Sequence, residues 1–244
     1  MNKFIFTLYY YHNIEMMQLT ESEEDHIRVI FNLFERTGQA VNTNAIAYQM
    51  NTSAASVTDM IKRLSNKQLV TYRKYYGVTL NAQGNSIATN LIRKNRLWKV
   101  MLTKQLNFKW NEVEKLADQL EHIHSDKLID EIEQKLDSPK YDIYGDPIPD
   151  KNGKFILRSQ YPLTEVSFGQ QVTIVGISNH EDSFISYLDT QNIHIGSEVI
   201  ILEKFEFDQS FLILHKGIEK QLSKMIAKNI LVRYKNRITH PSNV

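Results

Sequence analysis

The chain has no cysteine among its 244 residues. Disulfides and thiolate metal sites are therefore excluded, which leaves carboxylate oxygen and imidazole nitrogen as the charged and borderline donors available to a cation. Glycine is sparse, 9 residues in all, and no glycine-rich loop of the kind that cradles a phosphate-bearing substrate is present. No apolar run approaches the roughly 20 residues needed to span a bilayer, so no membrane role is expected. An excess of one charge is also missing, because the formal net charge is only +1. What remains is a 42% hydrophobic composition, enough for one large or two to three small cores, and the expectation is a cytoplasmic globular protein. Overall neutrality hides a local asymmetry. Between Thr43 and Leu80 the cations Lys62, Arg63, Lys67, Arg73 and Lys74 face a single acid, Asp59, whereas Glu21 to Asp25 is acidic. A basic module inside a neutral chain points to a polyanion partner.

Residues 1–16 read as an N-terminal extension. Phe4 to Tyr11 is aromatic and apolar, but too short for a secretory signal and without its charge and cleavage pattern. A first helix then starts at Thr20 or Ser22, carries acids in its first turn and buries Ile27, Ile30, Phe31 and Leu33 before Thr37-Gly38. Asn42 or Thr43 caps a short helix over Asn44 to Met50. Asn51-Thr52 makes a tight turn, and Ser53 opens a third helix with Val57, Met60, Ile61 and Leu64 on one face. Leu69 to Tyr75, a Gly77 turn and Val78 to Leu80 form a hairpin. Helix, helix, tight turn, helix and hairpin make a winged helix-turn-helix. The alternative is an ordinary three-helix bundle with an edge hairpin. DNA is favoured by the small and hydroxyl residues Ser53, Ala54, Ala55, Ser56 and Thr58 at the start of the third helix, and by Lys62, Arg63, Arg73 and Lys74 on its flank and the wing.

Downstream, Val113, Leu116, Ala117 and Leu120 recur at helical spacing, and Asp118, Glu121 and His122 fall at i, i+3 and i+4 on one face. Two carboxylates and an imidazole suit a hard or borderline divalent cation. The same pattern equally fits a solvated helix face with a chance histidine. A long helix over Ala82 to Leu106 precedes this segment, and a helix capped by Ser125 over Asp126 to Leu136 follows it. After the Pro-, Gly- and Asp-rich loop from Pro139 to Gly153 the periodicity becomes alternating. Val172 to Ile177, Gly196 to Leu202, Phe211 to His215 and Ile230 to Val232 read as strands, with a helical turn near Ser183 to Leu188. Short strands of this kind suggest a small SH3-like barrel.

Five ordered motifs then give a resemblance. Ser53-Ala54-Ala55-Ser56-Val57-Thr58, Val78-Thr79-Leu80-Asn81-Ala82-Gln83-Gly84, Arg93-Lys94-Asn95-Arg96-Leu97, Glu121-His122 and Tyr144-Gly145-Asp146-Pro147-Ile148-Pro149 together resemble the metal-dependent repressors typified by the diphtheria toxin repressor and the manganese transport regulators. The similarity is close over about Leu19 to Gly153 and looser beyond. It implies a mainly α fold with a small β domain: a winged helix-turn-helix over 17–80, a helical metal-binding and dimerisation domain over 81–153, and an SH3-like, FeoA-like domain over 154–244. It also implies a homodimer on double-stranded palindromic operator DNA, no small-molecule substrate and no enzymatic activity.

The resemblance adds Asp25 to Asp118, Glu121 and His122 as the primary metal ligands. Carboxylates at the Asp25 and Asp118 positions are similar to the manganese branch, so Mn(II) is the expected cofactor and Fe(II) the alternative. The pattern of an ancillary site is broken, since Asn95, Lys99 and Arg28 stand where ligands would be. Lys99 and Arg28 cannot ligate a cation but can pair with Glu114 or another carboxylate. One well-formed site per subunit is expected, with Glu114, His124 and the Glu181-Asp182 loop as weaker candidates for a second. Leu91, Trp98 and Leu102 on the long helix are candidates for the dimer seam, plain burial being an equal reading of Trp98. Two other classes stay open on the residues alone, a metallohydrolase and a metal-independent winged-helix ligand sensor. Against the first, no second histidine pair and no general base is evident.

Overall fold

The structure is a computed structural model and describes residues 19–235, so the expected N-terminal extension lies outside the described residues. The chain divides into two compact units, one reaching to Arg93 and including Lys151–Gly153, the other formed by Lys94–Asp150 with the chain from Lys154 onward.

In the first unit, helix α1 (Glu21–Thr37) begins with a capping box, in which the Thr20 hydroxyl accepts the Glu23 N–H at 3.3 Å and the Glu23 carboxylate accepts the Thr20 N–H at 2.9 Å. Glu23 is buried, and its carboxylate also accepts a hydrogen bond from Lys67 at 2.8 Å. Burial alone would raise its pKa, but Lys67 and the Thr20 N–H outweigh that and hold it below the ordinary carboxylate value. Helices α2 (Thr43–Gln49) and α3 (Ala54–Asn66) are capped by Asn42 and Ser53. Their apolar positions, with those of α1, close a small core of Ile27, Ile30, Ile46, Val57, Ile61 and Leu64. Strands β1 (Val70–Arg73) and β2 (Gly77–Leu80) pair antiparallel with Val70 opposite Leu80, and Val41 adds a bridge to Val78. The three helices and the wing therefore follow the expected order, the strands being shorter than the apolar run because Lys74, Tyr75 and Tyr76 form the turn. Gly84 settles how the chain leaves the wing. A Cβ there would lie 2.2 Å from the Leu69 carbonyl oxygen, so only glycine lets the backbones approach this closely.

Helix α4 (Ala82–Leu106) has the expected bounds, and the division between units falls inside it, after Arg93. In the second unit it is followed by α5 (Val113–Leu120) and α6 (Asp126–Lys135). A six-stranded antiparallel sheet comes next, with strand order β3-β8-β4-β5-β6-β7. Its members are β3 (Tyr161–Pro162), β4 (Gln171–Ile177), β5 (Glu198–Lys204), β6 (Phe211–His215), β7 (Ile218–Leu222) and β8 (Ile230–Tyr234). Helix α7 (Asp182–Thr190) follows β4, and α8 (Lys224–Lys228) precedes β8. Register shifts at Ile174/Gly176 and Ile201/Glu203 bend the sheet. The alternating pattern does not reveal β7, because Ile-Glu-Lys-Gln-Leu carries one buried residue and three charged or amide side chains. It is an edge strand, held to β6 by a Lys216-Gly217 turn with both φ positive, 51° and 77°.

The segment read as a loop before the barrel is packed. One apolar core joins Leu97, Val100, Val113 and Ile132 of the helices to Tyr144 and Ile148 and onward to Val172, Ile174, Ile213 and Val232 of the sheet. The Tyr144 carbonyl accepts the Ile177 N–H at 3.0 Å. Gly145 sits at φ 86°, and a Cβ there would fall 2.1 Å from the Val175 carbonyl oxygen. Arg158 donates to the Gly145 and Val175 carbonyls while lying 3.8 Å from the Tyr141 ring centroid, and Arg96 donates to the Pro147 carbonyl. The helices and the sheet of this unit therefore share one apolar core.

Candidate metal centre and nucleic-acid interface

The segment expected to be helical from Val113 to His122 ends its helix at Leu120, two residues early. Glu121 keeps helical torsions, φ −65° and ψ −22°, so it stays on the face of Asp118, while His122 lies in the following turn. A carboxylate oxygen of Glu121 and a ring nitrogen of His122 lie within 4.8 Å of one another. Donor atoms that close can share one ion at metal–ligand distances of about 2.0–2.2 Å with little side-chain movement. Glu121 is 0% exposed. A carboxylate withdrawn from water is stable only with compensating positive charge or hydrogen bonds, and the oxygen–nitrogen set matches a manganese- or iron-class ion. Asp118 is oriented from the neighbouring helix, its Oδ1 accepting a hydrogen bond from Asn95 Nδ2 at 3.0 Å. That contact gives Asn95 a role that sequence reasoning missed, since a broken ligand pattern says nothing about a new hydrogen bond.

Asp25 lies on α1 in the first unit, with Oδ1 3.7 Å from the Arg28 guanidinium. The other departures from the ligand pattern also pair. Lys99, 5% exposed, places Nζ 2.8 Å from Glu114 Oε2 and 5.2 Å from the Tyr144 ring centroid. An ammonium therefore occupies the space beside Glu114. His124 is exposed beyond the end of α5. Glu181 and Asp182 do not form a loop, because Glu181 is the N-cap residue of α7 and Asp182 its first residue.

Around Tyr144 a polar cluster appears that spacing could not disclose. Asp146 lies 3.8 Å from Arg96 and 3.6 Å from His180, and the His180 ring stacks on Tyr144 with centroids 4.8 Å apart. Asp142 is buried, its Oδ1 accepting the N–H groups of Tyr144 and Asp146, each at 2.9 Å. Burial, reinforced by Asp146, raises the Asp142 pKa, and burial with four surrounding carboxylates drives the Tyr144 phenol far upward. The Tyr144 hydroxyl donates to the Trp110 carbonyl at 2.9 Å. The Tyr144 to Pro149 motif marked this place in the sequence without revealing that it is a docking segment.

On the first unit, Ser53, Ala54, Ala55 and Ser56 are exposed, as are Lys62, Arg63, Arg73 and Lys74, with Thr58 half-buried. Hydroxyls expected to face DNA are engaged locally. Ser53 Oγ accepts the Ser56 N–H at 3.1 Å and lies 2.9 Å from Ser56 Oγ, and the Thr58 hydroxyl donates to the Ala54 carbonyl at 2.8 Å. Lys62 is tied to Asp59 at 3.0 Å, which leaves Arg63, Arg73 and Lys74 as the stronger phosphate candidates. Tyr75 and Tyr76, which share the wing with Arg73 and Lys74, are exposed at its tip; Tyr75 adopts φ 70°, and Lys74 lies over its ring at 5.1 Å. On α4, Leu91 and Leu102 are 2% and 4% exposed within the single chain and Trp98 is partly buried.

Three family models match the chain. The iron-dependent repressor N-terminal DNA-binding domain matches residues 18–78, the iron-dependent repressor metal-binding and dimerisation domain residues 81–150, and the FeoA domain residues 161–234. The two repressor models together span more than half of the chain. The diphtheria toxin repressor of Corynebacterium diphtheriae is 27% identical over 228 residues, covering 89% of this chain and 99% of the relative. An HTH-type transcriptional regulator MntR of Oceanobacillus iheyensis is 28% identical over 122 residues, 44% of this chain and 82% of that protein. Among solved structures, a manganese-dependent transcriptional repressor in complex with manganese superposes with a TM-score of 0.77 at 28% identity, covering 86% of this chain and 99% of the other.

Proposed function

Because the chain belongs to the family of metal-dependent transcriptional repressors typified by the diphtheria toxin repressor and MntR, we propose that it represses metal-homeostasis genes when Mn(II) is held by Asp25, Asp118, Glu121 and His122. The observation that carries this reading is the fully buried Glu121 carboxylate with the His122 ring nitrogen within 4.8 Å. The donor set contains no sulfur, which favours Mn(II), with Fe(II) the alternative; relatives named for each metal are among the matches. When bound, the cation supplies positive charge to a cluster of carboxylates that otherwise repel one another.

The residues divide the remaining work. Asp25 sits in the DNA-binding domain proposed over 17–80, and Asp118, Glu121 and His122 in the helical domain proposed over 81–153. Ligation from both restricts the winged helices to one arrangement, a population shift whose size is set by the differential affinity of the two states. Asn95 holds Asp118 in place for that role. Lys99 and Arg28 supply fixed positive charge instead of further ligands, so one ion per subunit is expected, without a contribution from Glu114 or His124. The family's DNA-binding and dimerisation domains make the partners double-stranded DNA and a second copy. We further propose a palindromic operator, a cytoplasmic site of action and a dimer seam along α4 that includes Trp98. Among the described residues no helix is long and apolar enough to cross a membrane.

Calorimetric titration of Mn²⁺ into the wild type and into Glu121→Gln and His122→Ala tests the site. The expected result is one ion per wild-type subunit and an affinity lower by about a hundredfold or more in each variant, given that even outer-shell changes cost 10–100-fold. Wild-type titration curves in either variant would refute the ligand assignment.

A further inference from the structure

Glu23 is 3% exposed although it occupies the first turn of a helix, where acids ordinarily face solvent. Its Oε2 accepts two hydrogen bonds from separate parts of the chain, the Thr20 N–H at 2.9 Å and the Lys67 ammonium at 2.8 Å, across 44 residues. Lys67 is the C-cap residue of α3, the recognition helix. One oxygen therefore joins the N-terminal turn of α1 to the C-terminal end of the helix that faces DNA. Asp25 follows Glu23 by two residues on α1. Apart from Glu23, Glu24 and His26, the buried residues of the two helices are apolar, Ile27, Ile30 and Phe31 on α1 and Val57, Met60, Ile61 and Leu64 on α3. Such packing is non-directional and permits sliding or rotation at small cost, whereas a charge-assisted hydrogen bond fixes direction and distance.

Resting on the reading of Asp25 as a metal ligand, we propose that the Glu23–Lys67 pair is the joint through which metal occupancy on α1 sets the recognition helix. Lys67 and Glu23 are positioning residues here, acting through α1 and α3 and touching neither the ion nor, in this role, the DNA. The competing possibility is that Lys67 merely holds a phosphate, since it is basic, one-third exposed and lies at the end of α3.

The test uses the full chain and a duplex selected from a randomised pool by the wild type in Mn²⁺. DNA affinity is measured in saturating Mn²⁺ and in chelator for the wild type, Lys67→Met, Lys67→Arg and Glu23→Gln, with Mn²⁺ affinity and circular dichroism followed in parallel. In Lys67→Met the ratio of the two DNA affinities should fall by about tenfold, while the affinity in chelator, the Mn²⁺ affinity and the salt slope stay within error of the wild type. Lys67→Arg should restore the ratio. Glu23→Gln keeps the carbonyl oxygen that accepts the Thr20 N–H, so it serves if Lys67→Met loses helix content, and it should show the same reduced ratio. An unchanged ratio in both Lys67→Met and Glu23→Gln overturns the joint. Equal weakening in both conditions with a shallower salt slope overturns it in favour of a phosphate contact. If the wild type itself binds DNA equally in Mn²⁺ and chelator, the reading of Asp25 fails first and the joint falls with it.

Discussion

Two sets of cations, one on the winged helix and one inside the helix-and-sheet unit, are handled in opposite ways. Arg63, Arg73 and Lys74 are exposed, whereas Lys99 is 5% exposed and paired with Glu114, and Arg96 is bound to Asp146 and the Pro147 carbonyl. Exposed charge is cheap to maintain and is available to a polyanion, but it contributes little to stability. Buried charge gives the reverse, since removing one partner strands the other in a poorly solvated place. Arg63, Arg73 and Lys74 are left available to a partner molecule, whereas Lys99 and Arg96 are engaged in holding their own unit together. Lys74 and Lys99, the same residue type, thus differ in what they can do, and burial separates the two.

The comparison breaks most sharply at Lys99. Replacing it by methionine keeps much of the side-chain volume but leaves Glu114, which is 38% exposed at the side chain, without its ammonium. Breaking a wholly buried pair costs about 3–5 kcal/mol, and solvent at Glu114 reduces the expected loss to about 2 kcal/mol. Denaturant unfolding should show that loss, while the salt dependence of DNA binding stays as in the wild type. A stability within error of the wild type would mean that the Lys99–Glu114 pair is structurally idle.

Arg73→Ala with Lys74→Ala sharpens the comparison from the other side. Both residues are exposed, so the free energy of unfolding should be unchanged within about 0.5 kcal/mol. DNA binding in saturating Mn²⁺ should weaken alike for all sequences, and the log–log salt slope should flatten by about one unit per lost phosphate contact. A slope that does not move would show that the wing does not touch DNA and would put the phosphate contacts elsewhere on this unit.

Much of the first unit was legible in sequence because its determinants are local. Thr20 with Glu23, Asn42 and Ser53 are caps whose partners lie two or three residues away, and the apolar periods of α1 and α3 are regular. The family was legible for a related reason, the motifs being short and contiguous. The second unit depends on contacts distant in sequence. Arg158 reaching the Val175 carbonyl, Tyr144 stacking on His180 and Asn95 donating to Asp118 leave no period to read, so the loop from Pro139 to Gly153 was legible as a loop but its packing was not. The early end of α5 at Leu120 was hidden likewise, because Glu121 retains helical torsions and only the turn through His122 departs. Strand β7 was invisible because an edge strand with polar faces carries no apolar alternation.

The central claim is that Asp25, Asp118, Glu121 and His122 hold one divalent ion that licenses the exposed cations of the winged helix to engage DNA. Its most direct test is an equilibrium DNA-binding titration of the wild type against a duplex selected from a randomised pool, performed at one salt concentration in saturating Mn²⁺ and again in excess chelator. The account predicts tighter binding in Mn²⁺ by about 5–150-fold, the span of a coupling of about 1–3 kcal/mol. Equal affinity in the two conditions would contradict it, whatever metal the protein is found to bind.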